Sequence, residues 1–128
     1  MGRLPRLVTA GFLLAAPLRA EPVTLVLAAL PEGTPADAVL TLGANVNGWD
    51  PAAPGFAFRR HGDGTHRLEL EVPAGTLLEY KVTRGSWATV EAAADGSERE
   101  SRRLEVVCMT TVELTVAGWA DAAGTRPR

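Results

Sequence analysis

Apolar and polar positions alternate most cleanly over residues 65–72. There Leu68, Leu70 and Val72 face one way and Arg67, Glu69 and Glu71 the other. A period of two puts successive side chains on opposite faces of a strand, so this run reads as a strand with one face on a core. Shorter runs repeat the pattern. Residues 22–30 place Val23, Leu25 and Leu27 together, and residues 38–43 alternate Val39, Thr41 and Gly43 against Leu40 and Leu42. Further strands are predicted at 56–60, with Phe56 and Phe58 inward, and at 77–83, 87–91, 102–109 and 111–117. After residue 21 no segment holds the 3.6-residue period of an amphipathic helix, so the pattern predicts an all-β domain.

The breaks between runs carry turn chemistry. Pro31-Glu32-Gly33-Thr34-Pro35, His61-Gly62-Asp63-Gly64, Pro73-Ala74-Gly75 and Arg84-Gly85-Ser86 supply the glycines, prolines and aspartate that tight turns need. Residues 43–55 form a longer loop rich in Gly, Asn and Pro that carries Trp49. Seven to eight short antiparallel strands in about a hundred residues predict an immunoglobulin-like two-sheet β-sandwich, with a small closed barrel as the alternative.

The start of the chain stands apart. Arg3 and Arg6 precede an apolar run from Leu7 to Ala16, and Ala20 offers a small residue for cleavage. This is the layout of a signal peptide, and the run is too short to span a bilayer. Residues 1–20 are therefore read as a signal peptide, 21–119 as the sandwich, and 120–128, rich in Ala, Gly and Arg, as a disordered tail. The expected address is secreted or periplasmic, with no membrane insertion once the leader is removed. The whole chain holds 13 basic and 15 acidic residues, a net charge of −2; without Arg3, Arg6 and Arg19 the balance is ten against fifteen, or −5. An acidic domain with scattered arginines lacks the basic stripe that nucleic acid or an anionic membrane surface requires.

Catalytic signals are sparse. Gly85-Ser86-Trp87 lacks the second glycine of a nucleophile elbow. His61 and His66 flank a hairpin turn with no third metal ligand at a sensible spacing. Glu69 and Glu71 share the polar face of one strand, and Glu98 and Glu100 fall in a loop, so a solvated surface explains them. Cys108, the single cysteine, sits in Val106-Val107-Cys108-Met109 and reads as a buried small hydrophobe. Neither an enzyme nor a cofactor or metal is expected.

The tryptophans carry the remaining signal. Trp49 and Trp87 lie in loop-like or turn-flanking contexts, whereas Trp119 follows the last strand and reads as a packing residue. Lys81 is the one lysine among the basic residues, placed close to Trp87. A compact ammonium there differs from the planar fork that arginine supplies everywhere else. An indole offers a flat negative face to the polarised C–H groups of a pyranose, and a lysine can donate to the hydroxyls. The competing reading makes both tryptophans core or edge residues.

Leu42-Gly43-Ala44-Asn45, Asn47-Gly48-Trp49-Asp50-Pro51, Leu78-Glu79-Tyr80-Lys81 and Trp87 together resemble the starch-binding domain of carbohydrate-binding module family 20, and the related glycogen-binding modules. The resemblance runs from Val23 to Trp119. The segment Arg84-Gly85-Ser86-Trp87 with Thr89-Val90-Glu91 is similar to a bacterial branch in which such domains often precede an esterase-like hydrolase. The resemblance implies non-catalytic binding of starch or another α-glucan, a hydrolase as the candidate partner, and a carbohydrate-binding site at Trp49, Lys81 and Trp87. Three positions depart from the family pattern. Ala88 stands where a glutamate is common, Ser101 replaces an asparagine before Arg102, and Asn47 precedes Gly48 where a leucine is usual. Glu91 and Ser101 are the secondary sugar-contact candidates. The alternatives are a structural or protein-interaction sandwich with a degraded sugar site, and a fragment of a longer hydrolase.

Overall fold

The computed structural model describes residues 19–121. The predicted leader therefore lies outside the described residues except for Arg19 and Ala20, and the predicted tail does so from residue 122. Among the described residues nine strands follow in chain order: β1 (Ala20–Ala29), β2 (Thr41–Ala44), β3 (Arg59–Arg60), β4 (His66–Pro73), β5 (Leu77–Thr83), β6 (Glu91–Ala92), β7 (Arg102–Glu105), β8 (Thr110–Thr115) and β9 (Gly118–Trp119). They form a four-stranded sheet in the order β3-β4-β1-β8, a three-stranded sheet in the order β2-β5-β7, and a small β6-β9 ladder.

The two larger sheets share one apolar core. Val23, Leu25 and Leu27 of β1, Leu68, Leu70 and Val72 of β4, and Leu114 of β8 meet Leu42, Ala44, Leu78, Tyr80 and Val82 of the second sheet. Each fully buried Leu or Val contributes about 1.5–3 kcal/mol relative to exposure. The alternation that defines β4 in the sequence is the burial pattern of the strand itself. Trp119 is buried as a packing residue, and its indole N–H donates to Thr34 Oγ1 at 2.9 Å.

Three expectations need correction. β1 pairs with β8 in parallel, with Val23 opposite Thr110 and Leu27 opposite Leu114, so the sheet is not purely antiparallel. Residues 87–91 are not one strand: Trp87–Thr89 is a 3-10 turn, closed by the Thr89 N–H to Ser86 O at 3.1 Å, and only Glu91–Ala92 is extended. Cys108 is exposed rather than buried, because the chain turns between β7 and β8 at residues 106–109 and only Val106 points inward. Contacts are also described just outside the predicted bounds of 21–119. β1 opens at Ala20, and Arg19 O accepts the Ala74 N–H at 2.8 Å. At the other end Ala120 N donates to Val90 O at 2.8 Å.

Candidate functional site

The site is built on the outward face of the β2-β5 pair. In β5 the even residues Leu78, Tyr80 and Val82 enter the core, so Glu79, Lys81 and Thr83 point the other way. In β2, Leu42 and Ala44 take the core, leaving Thr41 and Gly43 outward. The antiparallel register sets Gly43 opposite Lys81 and Thr41 opposite Thr83. Opposed residues project to the same face with β-carbons roughly 4.5–5.5 Å apart, so Lys81 emerges beside a position that has no side chain.

Trp87 fills that gap. A β-carbon built on Gly43 would stand 2.5 Å from Trp87 Cη2 and 2.7 Å from Cζ2. A glycine inside a strand often marks such a close approach. The 3-10 turn delivers the indole there. Gly85, at φ 105°, reverses the chain after β5. Its N–H donates to Thr83 Oγ1 at 2.9 Å, and Thr83 Oγ1 is 2.5 Å from Thr41 Oγ1 across the pair. The Thr89 hydroxyl donates to Ser86 O at 3.0 Å, which tightens the turn.

Trp49 arrives from the other side. After β2 the chain makes a 3-10 turn at Asn45–Asn47 and passes through Gly48 at φ 73°. Asn47 organises the turn: its Oδ1 accepts from the Ala44 N–H at 3.0 Å and the Asp50 N–H at 3.2 Å, and its Nδ2 donates to Leu42 O at 2.9 Å. Trp49 itself has φ 59°, in the left-handed region. Such a conformation costs a non-glycine residue energy and persists where surrounding contacts impose it. Those contacts are the Trp49 N–H to Ala44 O at 2.8 Å and the Trp87 indole N–H to Trp49 O at 3.1 Å.

The two rings lie 6.3 Å apart between centroids and are tilted by 42°. Trp49 is 38% exposed and Trp87 40%. They make a bent aromatic surface whose polar N–H on Trp87 is already bonded, which leaves the faces for a ligand. The Lys81 side chain is only 14% exposed, and its ammonium sits 3.9 Å from Glu98, whose side chain is 89% exposed. At 3.9 Å from a solvated carboxylate, this ion pair contributes about 1 kcal/mol or less. The sequence-predicted trio Trp49, Lys81 and Trp87 is thus brought onto one face.

The secondary candidates are not brought there. Glu91 is only 1% exposed, and its carboxylate is consumed inside the fold. Oε2 accepts the Val82 N–H at 2.9 Å, and Arg102 donates to both oxygens, with Nη2 to Oε1 at 2.8 Å. Arg102 Nη2 also bonds Thr115 O at 2.8 Å, which ties β7 to β8. Glu91 is therefore a buried structural anion, not a surface acid facing a ligand. Ser101 lines a separate groove with Tyr80, Arg99, Glu100 and Val112. Sequence reasoning missed Gly43 and Asn47 as residues that shape the site. The available signals were a glycine in the middle of an apolar strand, and an asparagine directly before a glycine at a turn.

No protein-family model matches the chain. The chain is 39% identical over 115 residues to an α-amylase of Niallia circulans, a match that covers 89% of this chain and 9% of that protein. It is 34% identical over 97 residues to an amylopullulanase of Thermoanaerobacter thermohydrosulfuricus, and 35% identical over 98 residues to one of Thermoanaerobacterium thermosulfurigenes. Those two matches each cover 72% of this chain and only 6% and 5% of the relatives. The chain thus spans less than a tenth of the length of these curated relatives, matching in each a stretch the size of a single module.

Proposed function

We propose that this protein is a non-catalytic α-glucan-binding module of the starch-binding, carbohydrate-binding module family 20 type, exported to the periplasm or beyond. One observation carries the reading: two exposed indoles, tilted by 42° and linked by the Trp87 N–H to Trp49 O bond, stand beside Lys81. A bent pair of apolar faces matches successive glucose rings of a curved α-linked chain better than it matches a flat one. Each indole would cover the C–H face of one ring, and the Lys81 ammonium would donate to ring hydroxyls. The similarity to small segments of an α-amylase and amylopullulanases supports a glucan as the ligand and a hydrolase as the partner. A shallow surface contacts few ligand atoms, so the expected dissociation constant lies between about ten micromolar and a millimolar.

Calorimetric titration of the purified protein with β-cyclodextrin and maltoheptaose tests this. Saturable heat that a Trp49→Ala/Trp87→Ala double variant loses is the expected result. A folded wild-type protein that gives no heat at millimolar ligand would overturn the reading.

A further inference from the structure

The turn that carries Trp87 is gripped at both ends by the last described residues of the chain. On one flank the Ala120 N–H donates to Val90 O at 2.8 Å, and Glu91 pairs with Trp119 in the β6-β9 ladder. On the other flank Arg84, the residue before Gly85, lays its guanidinium over the Trp119 ring at 5.2 Å from the centroid, and its Nη2 pairs with Asp121 Oδ1. The main chain of Arg84 closes the same turn through its N–H to Thr89 O at 3.1 Å.

This is an odd way to gain stability alone. Only 16% of the Arg84 side chain is exposed, and its Nε is buried with no hydrogen-bond partner among the described residues. Desolvating a guanidinium and leaving one donor unpaired costs free energy that an apolar residue of similar size avoids. What an apolar residue does not supply is a directed, charge-assisted link between the Trp87 turn and Asp121.

We propose that Arg84 and Asp121 are positioning residues for Trp87: the pair, with the Trp119 ring beneath it, sets where the Trp87 turn sits over Gly43. The inference deepens the glucan reading and rests on it for its affinity consequence. It also makes the bent aromatic face depend on residues 119–121, so anything that pulls this end away from β6 alters the ligand surface without touching it.

The test uses Arg84→Leu, which keeps bulk, and Asp121→Asn, which keeps shape, in protein labelled with fluorotryptophan. Fluorine NMR then reads each indole separately, with resonances assigned from Trp→Phe variants. The Trp87 resonance should shift or broaden in both variants while the thermal midpoint changes little. The β-cyclodextrin dissociation constant, measured well below that midpoint, should rise roughly fivefold or more. Asp121→Glu, which returns a carboxylate, should recover part of the affinity. An unmoved Trp87 resonance with unchanged affinity in a folded variant would overturn the proposal. If Arg84→Leu does not fold, Asp121→Asn decides alone. A moved resonance in a protein whose wild type takes no glucan sinks the functional reading and leaves the positioning intact. Wild-type binding with both variants unaffected does the reverse.

Discussion

The Trp87 indole occupies the place where Gly43 would carry a side chain, with the nearest ring atom 2.5 Å from an ideal β-carbon. Real β-carbons do not tolerate that distance, so Gly43→Ala must push the ring outward. Gly43 lies in extended strand, so the backbone itself accepts alanine. The expected outcome is a β-cyclodextrin affinity lower by roughly tenfold, equivalent to about 1.4 kcal/mol. Calorimetry paired with a thermal melt checks it: affinity should fall much further than stability.

Asn47 holds the Trp49 turn through two acceptor bonds and one donor bond. Asn47→Ala removes all three. A typical net hydrogen bond contributes about 0.5–1.5 kcal/mol, and part of that set lies at the surface, so a stability loss of about 1–2 kcal/mol is expected. Trp49 should then leave its left-handed conformation, and glucan affinity should drop severalfold. Urea denaturation and titration on the same preparation read the two effects.

How much of this was legible in the sequence depends on how local the cause was. β4 was legible because Leu68, Leu70 and Val72 alternate with charges over a single uninterrupted run. The trio Trp49, Lys81 and Trp87 was legible as a set of residue types, but its geometry rests on Gly43 lying opposite Lys81, which is a pairing between strands nearly forty residues apart. The sequence predicts strand at Trp87 because Gly85-Ser86 looks like a hairpin turn. The Thr89 hydroxyl closing back on Ser86 O converts the segment to a 3-10 turn instead. Glu91 looked available because its partner Arg102 is eleven positions away and on another strand. The β1-β8 pairing had no local signature at all, since parallel register is decided by the whole fold.

Glu91 and Arg102 make the most consequential buried ionic contact described. Glu91→Ala leaves the Arg102 guanidinium desolvated and the Val82 N–H unpaired. Removing one partner of a buried pair costs about 3–5 kcal/mol, whereas replacing both by apolar residues of similar size is far milder. The urea midpoint should therefore fall sharply for Glu91→Ala and recover in a Glu91→Leu/Arg102→Met double variant. If the role of Glu91 were only to contact ligand, Glu91→Ala would leave the urea midpoint nearly unchanged.

At the β3-β4 hairpin, the hydroxyl and backbone N–H of Thr65 both donate to Asp63, and Arg67 adds its charge at 2.9 Å. These hold the Asp63 carboxyl down at about 2, against its ordinary 3.8. Protonation is therefore easier in the unfolded chain, so the contribution of Asp63 is present above pH ~3.8 and is lost as pH falls toward 2. NMR titration should show the Thr65 amide moving with a midpoint near that low value, and Asp63→Asn should abolish the step.

The parallel pairing of β1 with β8 matters once the protein is pulled. Six residue pairs, from Val23–Thr110 to Ala29–Thr115, lie side by side with both strands running the same way. Tension between the start of β1 and the far end of β8, once the short β9 has peeled, runs along both strands in opposite senses. It loads that whole ladder in shear, so the bonds must break together rather than unzip singly. The β1-β8 pair should therefore resist force along the strands far better than the two-residue β3-β4 and β6-β9 ladders.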